Sequence, residues 1–279
     1  MKNDKKIYKQ ARLNMETKIR QNVKRIVVKI GSSTLTHENG NLNLHRIELL
    51  ARTLSDIKNS GIEVVLVSSG AVAAGIARTH LKRRPESVEE KMALAAVGQS
   101  ELMRIYERFF SSYGHTVGQI LMTKDVIDNP VRREAAEGTF LRLLEMGIIP
   151  IVNENDSVSY EEIKFGGNDT LSAYVCMVCH AELLINMTDI DGYYDSDPRK
   201  NPDAKLIERV EQIDEGVYSA AGGAGSDRGT GGMYSKIKAA DLVTGVGIPM
   251  MIVRGTDPTV LYSVLEGNAK GTFFAAQKR

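Results

Sequence analysis

KRIVVKIGSS, Lys24 to Ser33, is a short run of Ile and Val that stops at a glycine and two hydroxyls. β-Branched residues favour extended backbone. Apolar side chains at both parities mean that both faces of the strand are covered, as in a buried parallel sheet. A lysine inside such a run, Lys29, is costly unless it meets an anion. The same composition returns in IEVVLVSSG (62–70), HTVGQILMT (115–123), GIIPIVNEND (147–156), ELLINMTD (182–189) and GIPMMIVRG (247–255). Helical patterns fill the intervals, at about 43–60, 70–79, 88–112, 131–146, 168–180 and 232–246. In the longest, Leu102, Ile105, Tyr106 and Phe109 fall on one face. This alternation predicts an α/β fold with a mostly parallel central sheet covered on both sides.

In such sheets ligands collect at the carboxyl ends of the strands. Those ends read Lys29-Ile30-Gly31-Ser32-Ser33, Ser68-Ser69-Gly70-Ala71, Asn153-Glu154-Asn155-Asp156 and Thr188-Asp189. Ser-Gly-Ala before an apolar helix marks a helix N-terminus, where free amides attract an anion; a lone Ser-Gly is more often a plain cap. A further glycine-rich stretch, GTGGMYSK at 229–236, departs from the G-x-x-x-x-G-K-[ST] phosphate loop, because Lys236 stands five positions after Gly231 and Ile237 follows it. Several such features on one edge point to a polyphosphate site.

The bulk composition narrows the class. The 279 residues suffice for one large or two small domains. With 36 Lys and Arg against 35 Asp and Glu, the total charge announces no nucleic-acid or membrane partner. No apolar run reaches the ~18 residues of a membrane span. Residues 1–22 form a basic lead-in without the apolar core of an export signal, and their acids and few serines argue against a transit peptide. The stretches 78–91, 157–168 (as a hairpin), 191–205 and 220–232 read as loops. The two cysteines, Cys176 and Cys179, lie in CMVCH, which is compatible with a haem, zinc or redox motif. Their setting on an apolar helix, with Leu171, Val175 and Val178, favours buried thiols and a cytoplasmic location.

Eight ordered blocks, VVKIGSS, VSSGAVAAG, AAVGQSELM, NENDSV, GGNDTLSA, TDIDGYY, DPRKNP and GTGGMYSKIKAAD, resemble the glutamate 5-kinases of the amino acid kinase family, over about residues 23 to 273. The resemblance implies an αβα sandwich, with about 23–180 holding the acyl acceptor and about 181–273 the ATP. It implies phosphorylation of the L-glutamate side-chain carboxylate to L-glutamyl 5-phosphate, the first step of proline biosynthesis, with ATP and Mg2+ and with no protein metal ligand assigned. Residue by residue, it places Lys29 and Lys236 on the transferring phosphoryl group and Asp169 between them. Ser69, Asp156 and Asn168 would hold glutamate. Lys29, Gly31, Gly70, Thr188, Asp189, Thr230, Gly231, Gly232, Met233, Tyr234, Ser235 and Lys236 would bind ATP. Implied partners are L-proline as feedback inhibitor, a second copy of the chain with 88–112 as a contact surface, and glutamyl 5-phosphate reductase as a transient partner.

Two departures from the family pattern stand out. Gly167 occupies a position that is commonly acidic, which would loosen its loop, and the sequence ends at Arg279 without room for the PUA domain that many relatives carry. Bland readings exist for single residues: Asn168 or Asp169 as a helix cap, Lys29 as an edge-strand charge, Asp156 as an Asx turn. Two functional alternatives remain: a kinase of N-acetylglutamate, aspartate, carbamate or UMP, or a catalytically silent binding protein.

Overall fold

The computed structural model describes residues 23–83, 85–158, 167–222 and 232–277. Eight strands form one sheet in the order β3-β4-β2-β1-β5-β7-β8-β6. They are β1 (Arg25–Ile30), β2 (Glu63–Ser68), β3 (Val117–Met122), β4 (Ile149–Glu154), β5 (Leu183–Thr188), β6 (Arg209–Val210), β7 (Met250–Arg254) and β8 (Gly271–Phe274). The pairs from β3 to β7 are parallel. β8 runs antiparallel to β7, and β6 runs parallel to β8.

Ten helices are described: α1 (Ser32–Leu35), α2 (Leu44–Asn59), α3 (Ala71–Thr79), α4 (Val88–Ser112), α5 (Lys124–Asp128), α6 (Pro130–Glu145), α7 (Asn168–Val178), α8 (Glu215–Ala220), α9 (Met233–Thr244) and α10 (Val260–Leu265). Their starts have local causes: Asn43, Ser87 and Asn129 each accept a backbone N–H of the first turn, and Pro130 opens α6. Strand alternation divides the core in two. Ile26, Val28 and Ile30 face α2, α4 and α10, whereas Val27 faces α6, α7 and α9. This is the expected αβα sandwich, and Lys29, at the parity of Val27, lies on the α7/α9 side.

The structure changes several expectations. β3 is an edge strand paired only with β4, and Gln119 and Leu121 are exposed, so it is not buried on both faces. In α4 the expected face of Leu102, Ile105 and Tyr106 is buried, Phe109 is half-buried against the same core, and Phe110 joins it fully buried. α1, α5, α8, α10 and β6 are too short to show a period in sequence. Most of the expected 157–168 hairpin and of the 220–232 loop lies outside the described residues. Among those residues no helix is long and apolar enough to cross a membrane. Cys176 and Cys179 are buried free thiols, as their setting suggested, and burial pushes the Cys179 thiol up to about 12.

Candidate active site

Lys29, Asp169 and Lys236 come together although they arise from β1, the first turn of α7 and the first turn of α9. Lys29 Nζ is 2.5 Å from Asp169 Oδ1, and Lys236 Nζ is 3.2 Å from Asp169 Oδ2. All three are at most 5% exposed. Each carboxylate oxygen also receives one neutral donor: Asn186 Nδ2 reaches Oδ1 at 2.8 Å, and Ser235 Oγ reaches Oδ2 at 2.6 Å. Asn186 is the register partner of Lys29 on the neighbouring strand, so the two side chains share a face. The carboxylate is thereby fixed by four donors from three elements.

The electrostatics follow from this packing. Burial alone would raise the Asp169 carboxyl, but Lys29 and Lys236 outweigh it and hold the group well below the usual carboxylate range. Burial pulls Lys29 below the ordinary lysine range; Asp169 opposes that pull, and the Lys236 ammonium adds to it. Two ammonium groups share one carboxylate in a nearly dry place. Such an arrangement is stabilised by an incoming anion.

Neither Asn168 nor Asp169 caps α7, contrary to the bland reading. The N-cap is Gly167, at φ +112°, a conformation that side chains rarely adopt. A glycine here therefore sets the backbone path into α7; the loop expected to be looser lies mostly outside the described residues. With the helix begun by Gly167, both side chains are released for other contacts. Asn168 Nδ2 donates to Ser69 Oγ at 2.8 Å and to Asn153 Oδ1 at 2.9 Å. Asn153 Nδ2 in turn donates to Gln99 Oε1 at 2.9 Å. Beside this chain of amides an open cleft of about 350 Å3 runs between α4 and the ends of β3 and β4, lined by Ala71, Gln99, Met103, Leu121, Glu154 and Asp156.

The remaining sequence candidates surround these two clusters. Gly31 passes directly over Lys29, since a Cβ there would stand 3.6 Å from Nζ. Gly70 begins α3 at φ +106°. Thr188 is buried at the end of β5 and donates to Asp189 Oδ1, whose other oxygen pairs with Arg199. Gly232 begins α9; Met233, Tyr234 and Ser235 are half-buried, and Tyr234 packs on Tyr218 with ring centroids 5.5 Å apart. Thr230 and Gly231 lie outside the described residues.

Asn186 and Gln99 were not singled out from the sequence, and Asn153 was named only as part of a strand end. Asn186 and Asn153 carried a usable signal, a polar amide inside an otherwise apolar buried strand, which needs a partner. Gln99 carried none, because one polar residue on a long helix is ordinary.

A mostly parallel sheet beside which two buried lysines, one from β1 and one from the first turn of α9, meet around one aspartate defines a class. This chain belongs to the amino acid kinase family, whose model matches residues 24–254. It is 52% identical over 259 residues to the glutamate 5-kinase of Clostridium perfringens (strain 13 / Type A), covering 91% of this chain and 96% of that protein. It is 54% identical over 258 residues to the glutamate 5-kinase of Clostridium tetani (strain Massachusetts / E88), covering 92% and 97%. Among solved structures it resembles a carbamate kinase from Giardia lamblia bound to AMP-PNP, with a TM-score of 0.65, 14% identity and 91% and 99% of the two chains covered. It also resembles an isopentenyl phosphate kinase, with a TM-score of 0.62, 17% identity and coverage of 90% and 100%. At these identities the structural likeness speaks to the fold alone.

Proposed function

We propose that this chain transfers the γ-phosphoryl group of ATP to the side-chain carboxylate of L-glutamate, giving L-glutamyl 5-phosphate and ADP, the first step of proline biosynthesis. The observation that carries the reading is the buried Lys29–Asp169–Lys236 assembly, two ammonium groups fixed on one carboxylate; the names of the relatives set the acceptor. Phosphoryl transfer moves negative charge between two oxygens in line, and fixed cations stabilise it most where water is excluded. No general base is required, because the glutamate carboxylate is ionised at neutral pH.

In this reading Lys29 and Lys236 bear on the moving phosphoryl group and Asp169 is the positioning residue that holds them. Gly31 and Gly70 admit backbone amides to the phosphates, while Thr188, Asp189 and the 230–236 segment hold the nucleotide. Ser69, Asp156 and Asn168 hold glutamate. The part at 23–180 is the acceptor side and that at 181–273 the nucleotide side, meeting where β1 pairs with β5. Among the described residues no cluster of three or more His, Cys, Asp or Glu could cage a metal ion. Magnesium would arrive on the ATP phosphates. When bound, it would neutralise charge on the phosphate oxygens.

L-Proline would compete with glutamate at the same pocket, since both present an α-amino acid end. A homo-oligomer built partly on α4, and transient delivery of the acyl phosphate to glutamyl 5-phosphate reductase, complete the reading. The deciding experiment traps the acyl phosphate with hydroxylamine, with glutamate, N-acetylglutamate, aspartate, carbamate and UMP compared by coupled ADP release. Hydroxamate formed from glutamate with the highest kcat/KM is the expected result. Binding of ATP and glutamate without turnover would instead make this a sensor.

A further inference from the structure

We propose that Gln99 is a substrate-binding residue whose amide nitrogen takes the α-carboxylate of the acceptor, an inference that rests on the glutamate reading above. The argument begins from one backbone group whose polarity is fixed. The N–H of Glu154 donates to Asn153 Oδ1 at 2.9 Å, and a backbone N–H can only donate. That contact identifies the oxygen of the Asn153 amide, so the other end of the amide is Nδ2. Asn153 Nδ2 must find an acceptor, and the group 2.9 Å away is therefore Gln99 Oε1. The same reasoning makes Asn168 present its Nδ2 to Asn153 Oδ1. One backbone N–H thus orients three side-chain amides in series.

The consequence lies at the end of the series. Gln99 is 8% exposed, and it lines the same cleft as Asp156. With its oxygen engaged by Asn153, the group it offers the cleft is Nε2, a donor of two N–H bonds. A neutral donor and a carboxylate lining one cleft are a complementary pair for a zwitterion: Nε2 meets the α-carboxylate and Asp156 the α-ammonium. Because Asn153 is 2% exposed and doubly bonded at its oxygen, Gln99 cannot reverse its amide without leaving two NH2 groups facing each other. Its donor is therefore in place before the substrate arrives, which avoids the cost of ordering it on binding.

The test uses the full chain and two ligands that differ in a single group, L-glutamate and 4-aminobutyrate, the latter being glutamate without its α-carboxylate. Gln99→Glu keeps an acceptor for Asn153 Nδ2 but replaces the donor with a negative charge. The expected result is a KM for glutamate raised about tenfold or more, with kcat within about threefold and the KM for ATP unchanged. The inhibition constant of 4-aminobutyrate should stay constant or fall. Gln99→Met, nearly isosteric and uncharged, should give the same split if the glutamate variant does not fold. Turnover with a glutamate KM within twofold of the parent, or losses for the two ligands in equal proportion, would overturn the role of Gln99 alone. Absence of glutamate turnover by the unaltered protein would overturn the underlying reading, and this inference with it.

Discussion

Asn186 Nδ2 stands 2.8 Å from Asp169 Oδ1, and Asn186 is fully buried in the middle of β5 with its own oxygen unpartnered among the described residues. A buried amide satisfied on one side only is less stable than an apolar side chain of similar size. Its contribution is therefore to orientation. Asn186→Leu is expected to leave the melting temperature unchanged or raise it, while kcat falls by about three- to tenfold as Asp169 loses one of four donors. A melt and a rate measured on the same preparation separate the two effects. A fall in stability with an unchanged rate would make Asn186 a packing residue.

The neighbours Asn168 and Asp169 should divide kinetically. Asn168→Ala removes bonds to Ser69 and Asn153 on the acceptor side, so the KM for glutamate should rise more than kcat falls. Asp169→Asn should leave glutamate affinity nearly intact and lower kcat on the order of 10²-fold, as loss of one preorganised electrostatic element does. It also leaves two buried ammonium groups without their countercharge, so the ligand-free protein should melt several degrees lower and regain much of that on binding ATP. Steady-state kinetics beside melts with and without nucleotide are the measurement. Equal changes in kcat and KM for both variants would refute the division.

The lowered Lys29 gives a signed pH prediction. In the free enzyme Lys29 loses its proton below the ordinary lysine value of about 10.4, so kcat/KM should fall on the alkaline side before that pH. Lys29→Arg, which stays charged, should remove this limb at a reduced rate. Stability moves the other way: a base held low in the fold binds fewer protons than in the unfolded chain, so its contribution rises with pH between the lowered value and about 10.4. For Asp169, whose folded value is depressed, the contribution is complete above about pH 4 and is lost as the pH falls toward the folded value. An alkaline limb that is the same in the parent and the arginine variant would exclude Lys29 as its source.

Gly98→Ala should fail through packing alone. A Cβ on Gly98 would stand 1.8 Å from the carbonyl oxygen of Ala71 and 2.3 Å from the nitrogen of Gly75. Backbone cannot yield as a flexible side-chain end does, so a loss of at least about 1–3 kcal/mol is expected from overpacking. Because Ala71 follows Gly70 at the strand end, the separation of α3 from α4 should also raise the KM for glutamate. Chemical denaturation and kinetics of the variant check both. Parent-like stability would mean that the two helices separate freely.

The sequence by itself determined the sheet, most of its helices and the strand ends that carry the site. Buried parallel strands are apolar at both parities, so a polar residue such as Lys29 or Asp156 at the end of one stands out against its neighbours. It also placed Lys29, Asp169 and Lys236 in one site, through eight blocks whose order no single glycine-rich loop could supply. What the tertiary structure decided was how those side chains are held. That Asp169 is gripped by Asn186 and Ser235, that Gly167 rather than Asn168 begins α7, and that Glu154 orients Gln99 through Asn153 are all relations between residues distant in sequence or set by a single φ angle. Hydrogen-bond polarity is directional over about 3 Å. Sequence patterns report which face a residue occupies, and only folded coordinates bring the donor and its acceptor to that distance.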